Sequence, residues 1–392
     1  AMVILWQVFT KILERGILEL RRLISLFTVF LLVLSFSGIV LAQETVKIGA
    51  NLEITGGVAA YGQMIWEGVN IAKEVVGDEV LGKKVELVLV DNKSDRVESA
   101  NAATRLIDYE KVVVMVGPAI SGSMLAVGPI CEEKQIPVIS ASATSPLVTQ
   151  GKKFVFRACF RDDDQAKAAA QFARSELQAQ TAAILSDIAQ DYCVALGNFF
   201  KDAFIERGGQ VVSEQNCRSG DQDFSAQLTT IINANPDVIY VPNYYTETAL
   251  ICQQARDLGY EGMILGADGA DAPELVSIGG DSVEGVYFTA HADTTQAITE
   301  IGQKFFDLYR EKHGREPSAF EALGGDSYVI ILDAIKRAGE LDPVKIRDAM
   351  EDTENLEVIT GVATIVDGDN KKPIVVKRVE NGVFKFVTTI EY

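Results

Sequence analysis

Histidine is nearly missing from this chain: 392 residues include two, His291 and His313. Neither stands at metal-ligand spacing from a second donor, and a histidine-based nucleophilic triad has little to draw on. No G-x-S-x-G elbow occurs, no G-x-G-x-x-G follows a strand, and there is no Walker-type lysine loop. His313, in Lys312-His313-Gly314 at the end of an amphipathic segment, reads as part of a helix C-terminus. Catalysis, a metal and a resident cofactor are therefore not expected. The five cysteines, Cys131, Cys159, Cys193, Cys217 and Cys252, form no C-x-x-C pair, which removes zinc and thioredoxin-like readings. Four of them lie between positions 159 and 252, where export would permit disulfides in any of three pairings; buried free thiols are the other reading. Positive charge is also short, with 36 Lys and Arg against 55 Asp and Glu, a net charge of −19 and a pI near 4.6. That balance excludes a nucleic-acid partner, which needs basic patches.

What is present is a globular composition, 48% hydrophobic and 23% charged, in a chain long enough for two lobes with full cores. Leu23–Ala42 is the one segment of membrane length. Arg21-Arg22 precede it, and Val40-Leu41-Ala42 before Gln43 fits a small-residue cleavage site, so it reads as a secretory signal peptide. An uncleaved anchor is the alternative. No cysteine follows the apolar run, which closes the lipoprotein route. Residues 1–42 sum to +2, leaving about −21 on the remainder.

From Val46 onward strand and helix signals alternate. A first series runs through strands at Val46–Leu52, Lys84–Val90, Val112–Val116 and Ile136–Ile139, with helices near Tyr61–Val76, Arg96–Tyr109 and Met124–Lys134. A second follows Phe154–Arg157, with strands at Ala182–Leu185, Val211–Glu214, Val238–Val241, Met263–Leu265 and Val286–Thr289 and helices between them. The rhythm is α/β, two doubly wound parallel-sheet lobes. Helices near Ala297–His313 and Ala319–Ala338 have no strand of their own in the second series and are expected to return to the first lobe. Short strands close the chain.

Two of these strands end in the same kind of loop. Val112–Val116 runs into Gly117-Pro118-Ala119-Ile120-Ser121-Gly122-Ser123, and Ile136–Ile139 into Ser140-Ala141-Ser142-Ala143-Thr144-Ser145-Pro146. Hydroxyls and open N–H groups at the C-terminal ends of neighbouring parallel strands hold small polar ligands, anions above all. Asp268, after the strand Met263–Leu265, faces the same kind of cleft, with turn chemistry as its alternative. Asp271, ahead of Ala272-Pro273, reads as a helix cap, and Asp162-Asp163-Asp164 as a solvated helix N-terminus. Tyr244 suits a pocket wall and Tyr245 a core or rim position.

Assembled, the segments resemble the leucine/isoleucine/valine-type amino-acid binding proteins, type I periplasmic receptors of ABC importers. The resemblance covers most of residues 45–390. It rests on Leu52-Glu53-Ile54-Thr55-Gly56-Gly57 with Ala60-Tyr61-Gly62, Val116-Gly117-Pro118, Ser142-Ala143-Thr144, Phe156-Arg157-Ala158-Cys159-Phe160, Asp223-Phe224-Ser225, Asn235-Pro236-Asp237-Val238-Ile239-Tyr240 and Ala255-Arg256-Asp257-Leu258-Gly259, in that order. It implies lobes joined by a multi-strand hinge, lobe 1 from 43–159 and 291–366, lobe 2 from 160–290 and 367–392. It implies no enzyme but a monomeric receptor for an α-amino acid, which closes over the ligand and docks on a membrane permease. The membrane would be touched only through the N-terminal segment. A sensory module on the same fold is the alternative. By the same resemblance Ser121 and Thr144 hold the ligand carboxylate, with backbone groups around Ser142, Ala119 and Ile120 beside them. Asp268 takes the ammonium, Tyr192 closes over it, and Tyr61 and Tyr244 flank the side-chain pocket. Two positions depart from the family pattern: Ala270 and Gly325 stand where large aromatics are usual. Their absence predicts a wider cleft, for a side chain bulkier than valine or more polar.

Overall fold

The computed structural model describes residues 2–35 and 45–391, in two separate units. The first is a single helix, α1 (Met2–Ser35). Residues 36–42 of the apolar segment lie outside the described residues, and with them the expected cleavage site. Among the described residues no helix is long and apolar enough to cross a membrane.

The second unit holds two α/β lobes. Lobe 1 opens with β1 (Val46–Leu52), α2 (Ala59–Val76), β2 (Glu79–Val80), β3 (Lys83–Asp91) and α3 (Arg96–Arg105), and continues with β4 (Val114–Val116), α4 (Ser121–Lys134), β5 (Val138–Ser140) and β6 (Val155–Arg157). Among the described residues these six strands form one sheet in the order β2-β3-β1-β4-β5-β6, parallel except for the short β2. Lobe 2 follows with α5 (Asp162–Ser175), β7 (Thr181–Asp187), α6 (Asp191–Glu206), β8 (Gln210–Cys217), α7 (Ser225–Asn233), β9 (Val238–Val241), α8 (Tyr245–Asp257), β10 (Met263–Gly266), α9 (Pro273–Gly279) and β11 (Tyr287–Ala290). The chain then returns as α10 (Glu300–His313), α11 (Ala319–Ala338) and α12 (Pro343–Glu351), with the small hairpins β12 (Leu356–Val358) with β13 (Gly361–Ala363) and β14 (Ile365–Val366) with β15 (Asp369–Asn370). It ends in β16 (Ile374–Glu380) and β17 (Val383–Ile390), antiparallel strands on the edge of the second sheet, whose order is β17-β16-β11-β10-β9-β7-β8.

Strand identity follows from burial on both faces. β4, β5, β6 and β9 are buried throughout, as β-branched apolar runs in a helix-covered parallel sheet must be. In each sheet the chain order reverses once beside a central strand, between β1 and β4 in lobe 1 and between β7 and β9 in lobe 2. A crevice opens at such a reversal beyond the C-terminal ends of the strands. Both crevices face the same cleft.

The late helices pack on lobe 1. α11 crosses α2 at backbone contact: a Cβ on Gly68 would stand 1.8 Å from the Glu321 carbonyl oxygen, and one on Gly324 2.3 Å from that of Ile65. Ser318 caps α11 in a box with Glu321, which fixes where this helix begins. The chain passes between the sheets after Arg157, after Ala290 and again ahead of Ile374. At the first crossing the fully buried Arg157 donates to Asp369 (2.7 Å), to the carbonyls of Ala143 and Ser145 (3.0 Å each) and to Thr149 (2.8 Å). That bidentate-capable fork ties the loop after β5 to the β15 hairpin.

Three local expectations are corrected. Asp162 starts α5 as anticipated but is fully buried, because the N-terminus of α5 points into the interlobe core and not into solvent. Asp271 caps nothing: it makes a buried ion pair with Lys377 at 2.9 Å, and Ala272 is the residue that precedes α9. Helix α4 starts at Ser121, ahead of the expected Met124, so the small residues Ser121-Gly122-Ser123 form its first turn. All five cysteines are free and buried, and burial raises each thiol, Cys159, Cys217 and Cys252 to about 12.

Candidate functional site

The lobe 1 wall is built from the two strand-end loops, laced together. Gly117 has φ +83°, and a Cβ there would meet the Asn51 carbonyl at 2.2 Å, so only glycine makes this turn beside β1. The buried carboxylate of Glu53 accepts from the Ala119 N–H at 2.9 Å, and burial raises its pKa. Ser140 Oγ donates to the Pro118 carbonyl at 2.6 Å, and Ser142 Oγ to that of Ala119 at 2.9 Å. Ser121 Oγ accepts from the Ser145 N–H at 3.2 Å and keeps its own hydrogen to give. Among the described residues no side chain caps the start of α4. Its first N–H groups and the positive end of its dipole are thus directed at the cleft.

The lobe 2 wall centres on Asp268, at the end of β10. Its Oδ1 accepts from Tyr192 Oη at 2.6 Å and from Gln165 Nε2 at 2.9 Å, and its Oδ2 lies 3.0 Å from His291 Nε2. The amide of Gln165 also takes the Asp268 N–H at 2.9 Å, so side chain and backbone are both held. Tyr192 accepts from the Gly269 N–H at 3.2 Å while donating to Asp268. Asp162 lies behind, with its Oδ2 unpartnered among the described residues; burial first, then the charge of Asp268, push its pKa well up.

Aromatic rings close the space between the walls. Tyr192 and Tyr244 stack in parallel at 5.3 Å, Tyr61 and Phe320 at 4.6 Å, and Tyr61 meets Tyr244 and Tyr245 edge-on at 5.7 and 5.1 Å. Tyr61 Oη, from lobe 1, donates to the Gly269 carbonyl of lobe 2, and Tyr245 Oη, from lobe 2, donates to the Gly57 carbonyl at 3.3 Å. The lobes are closed on one another. Between them lies a small, nearly filled space lined by Tyr61, Ala119, Ile120, Ser121, Ser142, Tyr192, Tyr244, Asp268, Gly269 and Phe320. A hydroxyl-rich helix N-terminus, a single carboxylate and four aromatic rings suit a small zwitterion with an apolar side chain.

Known proteins bear on this geometry. A family model described as periplasmic binding protein matches residues 45–382. This chain belongs to that family. It is a family of substrate-binding receptors and not of enzymes. A leucine-binding protein LivK from Thermotoga maritima is 48% identical, with 88% of this chain and 99% of that one covered at a TM-score of 0.87. The branched-chain amino acid binding protein LivJ of Streptococcus pneumoniae, solved with isoleucine, is 32% identical over 88% and 99% of the two chains, at a TM-score of 0.84. The Leu/Ile/Val-binding protein BraC3 of Rhizobium johnstonii is 32% identical over 85% of this chain and 90% of its own length. The fold is that of a type I periplasmic binding protein.

Within this periplasmic binding protein, two anticipated site residues fall outside the cavity. Thr144 is buried behind the loop, its hydroxyl turned toward the Asp162 carboxyl, and its carbonyl takes the Asp162 N–H at 3.0 Å. Gly325 faces the interior of lobe 1, where a Cβ would meet Ile359 at 2.9 Å and Phe305 at 3.0 Å. Ala270 is likewise internal, its Cβ 3.2 Å from the position of a Cβ on Gly266. The expected widening of the cleft therefore loses its basis: small residues at these positions shorten core side chains and leave the cavity wall intact. Three residues around the site were not singled out from the sequence. Phe320 comes from the first turn of α11, Gln165 from α5, and His291 from the residue after β11. His291 sits at a strand end, the same signal that marked Ser121 and Asp268.

Proposed function

We propose that this chain is an extracytoplasmic receptor that closes its two lobes around a compact aliphatic α-amino acid of the leucine, isoleucine and valine class and delivers it to the permease of an ABC importer. The observation that carries the reading is the pairing of unlike walls across one small cavity. The α-carboxylate lies at the N-terminus of α4, taking the Ser121 hydroxyl and first-turn N–H groups, with Ser142 and the backbone of Ala119 and Ile120 beside it. The ammonium lies against Asp268. A carboxylate offers about four lone-pair positions, and Tyr192, Gln165 and His291 take three. The remaining one is the ligand's. Tyr61, Tyr244 and Phe320 wall the side chain, and Thr144 supports the loop from behind.

Opening and closing is hinge motion about the three interlobe crossings, with lobe 1 built from the described part of 43–159 and from 291–366, and lobe 2 from 160–290 and the described part of 367–392. Leu23–Ala42, behind Arg21-Arg22, serves as the export signal. The relatives named for leucine, isoleucine and valine support the ligand class. Native mass spectrometry of the protein as purified, followed by calorimetry with the twenty amino acids, tests it. One retained aliphatic amino acid and tightest binding by leucine, isoleucine or valine is expected. Retention of an acid that lacks an amino group, or no response to any amino acid, overturns it.

A further inference from the structure

The rim of the cleft carries an ion pair between the lobes that the amino-acid clamp does not use. Arg96, the first residue of α3 in lobe 1, bonds through Nη2 to Asp191 Oδ2, the first residue of α6 in lobe 2. Both are half exposed, at 49% and 42% of the side chain. Each lies next to the site in a specific way. Asp191 directly precedes Tyr192, which closes on Asp268. The Arg96 guanidinium lies over Gly122, in the first turn of α4: a Cβ on Gly122 would stand 2.8 Å from Nη2 and 3.0 Å from Nε. Glycine at this position makes the seat for the arginine.

The placement is electrostatically costly for Arg96 alone. It starts one helix and lies against the first turn of a second, so two positive dipole ends face a positive charge. Its neighbour Asp95 is engaged elsewhere, its Oδ1 accepting from the N–H groups of Val97 and Glu98 as the α3 cap. The carboxylate that pairs directly with Arg96 comes from across the cleft, from Asp191. A ligand carboxylate at the α4 N-terminus would be the second.

We propose that Arg96 is a ligand-positioning residue of this receptor, latching the closed lobes through Asp191 while its charge favours a carboxylate at the start of α4. The proposal rests on the amino-acid receptor reading. The pair spans the lobes, so it forms on closure and breaks on opening, and it acts on the rate at which ligand leaves. The test uses whichever of leucine, isoleucine and valine binds the wild-type protein tightest, with stopped-flow dissociation and calorimetry at about 50 and about 500 mM salt. Arg96→Gln and Asp191→Asn each speed dissociation by roughly 1.5- to 5-fold, the range for exposed ion pairs, and flatten the salt dependence seen in wild type. The double variant R96Q/D191N dissociates no faster than R96Q, because the second change removes nothing further. R96Q is the more severe single change, since it also withdraws charge from the carboxylate end. Wild-type dissociation rates in both single variants, or strictly additive effects in the double variant, overturn the latch while leaving the receptor reading intact. A wild-type protein that binds none of the three amino acids overturns both.

Discussion

Replacing Asp268 with asparagine separates the ligand's charge from the scaffold's hydrogen bonds. The change keeps the shape of the side chain. Its remaining oxygen still accepts from Tyr192 and Gln165, which sit at 2.6 and 2.9 Å on the Oδ1 side. The new NH₂ group then faces His291 Nε2, which in the carboxylate form must donate. A tautomer change lets Nε2 accept and moves the hydrogen to Nδ1, which has no partner among the described residues. The fold thus retains its contacts to position 268, with a buried Nδ1–H left without an acceptor as the cost. The ammonium proposed to lie against Asp268 would not: it would lose one charge-assisted hydrogen bond, worth about 1.5–3 kcal/mol, or roughly 10- to 150-fold in Kd. Calorimetric titration of D268N with the tightest-binding aliphatic amino acid reads this directly, and the denaturant midpoint reports whether the fold has changed. A Kd within threefold of wild type, with the midpoint unchanged, would refute the assignment of Asp268 to the ammonium.

Three further outcomes follow from the packing and the buried charges. Gly324→Ala forces a Cβ to 2.3 Å of the Ile65 carbonyl and should lower stability by about 1–3 kcal/mol in chemical denaturation; Gly57→Ala, with nothing within 4 Å, is the control, and equal losses in the two would remove close helix contact as the cause. Lys377→Met strands the buried carboxyl of Asp271, whose pKa burial already raises, and should cost about 3–5 kcal/mol; a K377M/D271L variant that is no more stable than K377M alone would argue against an unpaired charge as the reason. Asp162 has a folded pKa well above the usual carboxylate range, so its contribution to stability is full below that range and is lost as pH rises through the folded value. Asp162→Asn should therefore gain on wild type as pH is raised from about 5 to about 7.5, and a difference between the two midpoints that does not change with pH would contradict this.

Much of the lobe architecture is legible from the chain because buried parallel strands advertise themselves locally. Val114–Val116 and Val238–Val241 are short, apolar and mostly β-branched, and followed by Gly, Pro or Asn. Ser121, Ser142 and Asp268 were accessible for the same reason: a parallel strand delivers its C-terminal loop to the crevice whatever lies around it. Phe320 was not, since its path to the cleft runs through the crossing of α11 over α2. That crossing depends on Gly68 and Gly324, which are far apart in sequence. Ala270 and Gly325 misled for a related reason. A family position identifies a neighbour in sequence, whereas the direction of its Cβ is decided by packing: against β10 for Ala270, and against Phe305 and Ile359 for Gly325. Asp162 illustrates the limit of charge patterning. Three consecutive aspartates at a helix start look uniformly solvated, yet the first is fully buried while Asp163 pairs with Arg161 and Asp164 with Lys167. His291 was legible in principle, standing one residue beyond β11.

The five sequestered thiols have a practical consequence. A thiol raised to about 12 is thiolate in only about one part in 10⁴ to 10⁵ at neutral pH, and maleimides and alkyl halides attack the thiolate. The native protein is therefore silent to such reagents while folded. One cysteine introduced on the rim, for example by Gln63→Cys, at an exposed position beside Pro273 and Glu274 of lobe 2, would take a single solvatochromic dye without removal of any natural cysteine. Because the rim changes its exposure when the lobes come together, the labelled protein would convert amino-acid concentration into an optical signal, and the scaffold is already suited to work as a reagentless sensor.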